Sequence, residues 1–220
     1  MRFDMDKIYR NFIHRCSVYQ GKVDILRFNR IEYDEWTHAK LTEGLMSDLW
    51  QNWCLFCRNL IHKSCRGAVC ADTTVFGPRV TQYGNSWQRL GYEAKNINGT
   101  IKNNGHNSFL IRYEPTWGDI DKIVNIITHL NPKNKNCLLA AFGMGLKDIN
   151  YLQLARNACA HKNVETIEEL INKTKLFYDV TTLKKPSDFA WSLKKGTHSF
   201  AFYTWLYEMR IIAKNAILTC

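Results

Sequence analysis

The stretch THAKLTEGLMSDLWQNWCLFCRNLIHKSCR, residues 37–66, decides the fold class. Leu41, Leu45, Leu49, Trp53, Phe56 and Leu60 recur at spacings of four and three. Trp50, Cys54, Cys57, Ile61 and Cys65 make a second stripe beside the first. Two adjacent stripes give a helix with a wide apolar arc, the pattern of a helix with neighbours on several sides. The spacing therefore predicts a long central helix of a bundle, closed by Gly67.

Outward from that helix the same period repeats. Residues 3–20 predict a helix with Phe3, Ile8, Phe12, Cys16 and Tyr19 near one face, stopped by Gly21. Residues 22–35 fit a short strand or a loop. Residues 67–86 are rich in Gly, Thr, Asp, Asn and Pro and predict an extended loop. A short helix follows over 86–95, then a polar Gly/Asn-rich loop over 96–108 and a short strand at 109–113. Asp119 is a candidate N-cap for a helix ending near Leu130, where Pro132 prevents continuation. The last third predicts helices over 136–144, 148–161 and 164–177, one opened by Pro186, and a buried terminal helix over 197–218. The fold class is all-α: one helical domain over 1–220, a bundle with long loop insertions between residues 67 and 118.

The chain has 220 residues, 45% of them hydrophobic and 13% aromatic, which excludes intrinsic disorder. Its formal net charge is +10, so a polyanion is the simplest partner and nucleic acid leads the candidates. The first twenty residues carry charges throughout and lack the apolar core of a secretory signal. No uncharged apolar window reaches the length of a membrane span. Eight cysteines in such a chain are expected to stay reduced, and the expected location is cytoplasmic.

Chemistry concentrates at Leu154-Ala155-Arg156-Asn157-Ala158-Cys159-Ala160-His161, the end of one predicted helix. Metal-free cleavage of RNA needs a base for the 2′-hydroxyl proton, a cation for the phosphorane and an acid for the leaving 5′-oxygen. An imidazole serves as base or acid, a guanidinium grips phosphate oxygens, and an amide orients its neighbours. Asn157 and His161 are four apart and share a helix face. Arg156 and His161 are five apart, about 140° around the axis, so Arg156 must reach to join them. One imidazole supplies one acid/base group, so the chemistry asks for a second copy, in a homodimer.

Arg156, Asn157 and His161 also resemble the R-x4-6-H motif of the HEPN superfamily, with Ala158 and Ala160 small enough for close helix packing. The resemblance implies an α-helical, usually dimeric protein with two motifs facing each other. It implies a metal-independent endoribonuclease leaving 2′,3′-cyclic phosphate ends, of the toxin or antiviral-defence type, with no cofactor. Some HEPN toxins carry a tyrosine two residues after the histidine. This chain has Asn163 there.

Other patterns are weaker. Arg58-Asn59-Leu60-Ile61-His62 is a shortened copy with only three residues between Arg and His. It fits polar residues on the face opposite the core, with Arg58 as an added phosphate contact the minority reading. Lys162, Lys194 and Lys195 are further candidate RNA contacts, and residues 184–220 hold six basic and two acidic side chains. Trp87, His106, Tyr113 and Trp117 lie in or beside the loops, where they fit either base stacking or packing. Cys54 and Cys57 lie inside the helical stripe and fit burial better than zinc. Two alternatives to the nuclease stay open. One is a non-catalytic RNA-binding module. The other is a helical interaction protein that binds an antitoxin or a defence-system partner.

Overall fold

A computed structural model describes residues 3–181 and 183–218. The described residues are mainly helical, with one small three-stranded sheet. The helices are α1 (Met5–Phe28), α2 (Glu35–Arg66), α3 (Trp87–Lys95), α4 (Ile120–Leu130), α5 (Lys135–Phe142), α6 (Asp148–His161), α7 (Val164–Thr174) and α8 (Ala201–Asn215). No helix among them is long and apolar enough to cross a membrane. The chain divides into two units. The first comprises Met1–Phe12, Trp53–Gly145 and Ile212–Cys220; the second comprises Ile13–Asn52 and Leu146–Ile211.

In the first unit, strand β2 (Ala68–Val69) pairs parallel with β1 (Phe3–Asp4) and antiparallel with β3 (Val75–Phe76). Gly67 makes this possible. Its φ of +101° turns the chain sharply out of α2, a conformation that costs a side chain dearly. The core is built on Trp53, which is fully buried and donates its indole N–H to the Gly118 carbonyl at 3.0 Å. Phe56 packs 5.6 Å from it, and Phe12 stacks on Phe56 at 4.3 Å. The expected Asp119 cap is in place, accepting from the Lys122 amide, and Ser86 caps α3 by accepting from the Arg89 amide. Asn131 ends α4 in the left-handed conformation, directly before Pro132.

The 67–118 stretch holds α3, β2, β3 and a short 3-10 turn at Ile111–Tyr113, where the sequence suggested a strand. Its loops are anchored by a buried charge cluster. Glu93 pairs with Arg79 at 2.8 Å and with Arg89. Burial alone would raise the Glu93 carboxyl, but the two guanidinium groups bring it below its usual value. Arg89 also donates to the Lys102 and Asn103 carbonyls, each at 3.0 Å, and lies over the Tyr83 ring. The 96–108 loop is thereby tied to α3. Trp117 is buried and donates to Glu114 at 2.7 Å, so it packs rather than presenting a stacking face.

In the second unit, the core runs through Tyr178, Phe189, Phe202 and Trp205, all fully buried. Tyr178 and Phe189 meet edge-on at 5.1 Å, and Phe202 lies 5.3 Å from Trp205. The segment opened by Pro186 is a 3-10 helix, Pro186–Trp191, and Asp188 accepts from the Lys184 and Lys185 amides at its start. The terminal helix begins at Ala201, because the residues before it fold back in a bridge between Leu193 and Phe200.

Two expectations need correction. Gly21 does not stop α1, which runs on to Phe28. A helical glycine costs about 1 kcal/mol relative to alanine, and burial of Val23 and Leu26 one turn further on outweighs that. The α2 stripe also starts differently: Leu41 is exposed, while Thr42 and Met46 are buried. Thr42 turns inward because its hydroxyl accepts from the Trp191 indole at 3.1 Å and donates to the His38 carbonyl at 2.9 Å.

Candidate functional site

Ile149, Leu152, Ala155, Ala158 and Cys159 form the buried face of α6, spaced three and four apart. That face rotates Arg156 and Asn157 to half-buried positions and leaves His161 exposed. The N-terminus of the helix is capped from a distance. Lys147 offers no side-chain cap, and the Glu208 carboxylate instead accepts from the amides of Asp148 (2.8 Å) and Ile149 (3.3 Å). Glu208 is buried beside Asp148. Burial first, and then that neighbouring carboxylate, push its carboxyl up to about 7.

The other end of α6 is abrupt. Lys162 adopts φ +51°, and its amide closes onto the Ala158 carbonyl at 3.0 Å. Asn163 then caps α7 by accepting from the Thr166 amide at 2.9 Å. His161 is therefore the last helical residue, at the C-terminal end of α6.

Arg156 and Asn157 are brought together: an Arg156 Nη1 donates to Asn157 Oδ1 at 3.3 Å. The guanidinium is thereby steered by the amide. His161 makes no side-chain hydrogen bond or ion pair among the described residues, so it is not joined to the Arg156–Asn157 pair. Cys159, between them in sequence, is buried and its thiol is pushed up to about 12, which leaves it a small hydrophobe rather than a nucleophile.

The other expected contacts divide by what already holds them. Lys162 is exposed, 3.9 Å from Glu43. Lys195 is exposed and donates to the Lys175 carbonyl at 2.7 Å. Lys194 is committed to buried Asp148, where it neutralises a carboxylate close to Glu208. Arg58 belongs to the first unit and forms a two-pronged pair with Glu114 at 2.5 and 2.8 Å. His62, the histidine of the shortened copy, is buried edge-on against Trp117. Burial, with Arg58 and Arg66 nearby, drops its imidazole to about 3, so it stays neutral at ordinary pH and cannot shuttle protons there. The expectation that the polar residues of 58–62 lie opposite the core is therefore corrected: His62 is buried and Arg58 is engaged by Glu114.

Sequence reasoning missed Trp36, Lys40 and Glu43. With Lys162, Lys184 and Lys185 they line a cavity of about 290 Å³ in the second unit. Lys40 donates to Glu43 at 2.7 Å, which raises its ammonium above the usual lysine value. Lys162 competes for the same carboxylate, and the adjacent Lys40 holds it below that value. The only local signal was Lys40 and Glu43 at i,i+3; the distant lysines give none. Among the described residues, no group of three or more His, Cys, Asp or Glu side chains is arranged to hold a metal ion. Neither a known protein family, nor a curated protein, nor a solved structure matches this chain.

Proposed function

We propose that this chain is a metal-independent endoribonuclease of HEPN type, working as a homodimer in the manner of a toxin or defence effector. The observation that carries the reading is the end of α6, where the Arg156–Asn157 pair precedes an exposed, uncommitted His161. The +10 net charge supports a polyanionic substrate.

In this reading one imidazole takes the proton from a ribose 2′-hydroxyl. The 2′-oxygen attacks the adjacent phosphorus, and the bond to the 5′-oxygen breaks. A second, protonated imidazole gives its proton to that oxygen. The products are a 2′,3′-cyclic phosphate and a 5′-hydroxyl. Arg156 stabilises the phosphorane charge, always protonated and able to bind two oxygens at once. Asn157 is a positioning residue that holds the guanidinium. His161 supplies one proton-transfer group per chain, so a partner copy supplies the other.

The test is incubation of the purified chain with mixed RNA in EDTA. Cleavage is expected to persist, to leave cyclic phosphate ends and to fall by about 10²–10⁴ in His161→Ala. Binding without cleavage overturns the enzymatic reading and leaves an RNA-binding module. The one observation on that side is that His161 makes no hydrogen bond to Arg156 or Asn157 among the described residues.

A further inference from the structure

We infer that the cavity between Trp36 and the lysines of the second unit is a subsite for one nucleotide of single-stranded RNA, an inference that rests on the nuclease reading of α6. Its lining holds four lysines and one glutamate, with the Trp36 ring at its edge. Glu43 is already divided between Lys40 at 2.7 Å and Lys162 at 3.9 Å. Lys185 reaches only the exposed Glu35, at 3.7 Å, and Lys184 has no ion pair among the described residues. Positive charge is thus gathered in excess of what the protein neutralises, and an anion relieves that repulsion.

The backbone that carries Lys184, Lys185 and Trp36 is pinned by side-chain caps. Asp188 accepts the amides of Lys184 and Lys185 at 3.0 and 2.9 Å. Asp34 accepts the Thr37 amide at 2.8 Å and so fixes the start of α2, next to Trp36. Trp36 is 68% exposed, and its ring meets no other aromatic ring among the described residues. A lone exposed indole beside clustered ammonium groups matches a base with its flanking phosphates, since stacking is indifferent to base identity and lysines track the backbone. An acidic peptide would use the lysines but has no need of the ring. Lys162, in the lining, directly follows His161 in the chain.

The experiment uses the full chain and a fluorescent 2′-O-methyl RNA decamer, which has no free 2′-hydroxyl to attack and reads binding apart from cleavage. Anisotropy titrations across salt compare wild type with Lys40→Gln/Lys184→Gln/Lys185→Gln. The slope of log K against log salt is expected to fall by about 1.4, at roughly 0.7 for each of the two phosphates that flank the seated base. The same charge change at exposed Lys7, Lys95 and Lys133 leaves the slope near wild type. Trp36→Ala weakens binding about tenfold and Trp36→Phe restores most of it. Equal slope changes in the two triple variants, no effect of Trp36→Ala, or displacement by poly-glutamate as effective as by RNA each overturns the subsite. If unmodified RNA is not cleaved but these binding effects appear, the subsite stands and the nuclease reading fails. Cleavage with an unchanged slope is the reverse.

Discussion

Within the proposed site, Asn157 steers Arg156. A guanidinium on a helix surface samples many rotamers, and an amide acceptor at 3.3 Å narrows them. Lysine keeps the charge but loses the planar fork. Arg156→Lys is therefore expected to bind RNA nearly as well as wild type and to cleave it at least about tenfold more slowly. Single-turnover rates beside a binding titration separate the two; an equal loss in both would mean that Arg156 only holds the strand. That Arg156, Asn157 and His161 share one helix was legible, because the helical period of 148–161 is local. The Arg156–Asn157 bond lay within reach of the same reasoning, while the engagement of Lys194 by Asp148 did not, since 46 residues separate them.

At the scale of elements, the cap on α6 makes stability depend on pH. Glu208 has its carboxyl raised to about 7 in the fold, against an ordinary glutamate near 4.5. The folded state thus holds this proton more tightly than the unfolded one. Its contribution is complete below about pH 4.5 and is lost as pH rises through 7, a change of at most about 3 kcal/mol. Glu208→Gln keeps an oxygen for the two amides without the charge. The expected outcome is a variant whose melting temperature gains on wild type as pH rises from 5 to 8. A constant difference over that range would show that the carboxyl titrates normally.

A second element-scale prediction concerns the cluster that ties the 96–108 loop. Arg89 is fully buried and Arg79 nearly so, and Glu93 is their shared counter-ion. Glu93→Ala strands two buried guanidinium groups and is expected to cost about 3–5 kcal/mol, read by urea denaturation. Conversion of all three residues to apolar ones of similar size is expected to cost less.

Elements were the most legible level of the sequence. The α2 arc, the Asp119 cap, the Pro132 stop and the span of α6 follow from local period and local caps. The failure at Leu41 has a distant cause. Trp191 reaches Thr42 across 149 residues, and no periodicity carries that pairing. The cavity lined by Trp36, Lys40 and Glu43 was hidden for the same reason.

For the whole molecule, the proposed chemistry makes activity a property of pairs. If each site needs one His161 from each of two copies, a mixed dimer of wild type and His161→Ala is inactive. After subunit exchange at equal amounts, activity per total protein is expected near a quarter of the all-wild-type value, from random pairing in a two-fold dimer. A value near half means that each chain works alone. The same samples, sized by light scattering, report whether the dimer exists.

Lys162 sits with φ +51° at the end of α6, in a conformation that glycine or asparagine adopts with less strain. Its backbone and its side chain are thus in conflict. One asks for a residue without a β-carbon, the other supplies an ammonium beside Glu43. Lys162→Gly resolves the conflict in favour of the backbone, so the variant should melt higher while holding RNA more weakly. If the proposed subsite holds, thermostability and RNA affinity trade against each other at a single codon, and selection for heat resistance alone erodes the proposed contact with RNA.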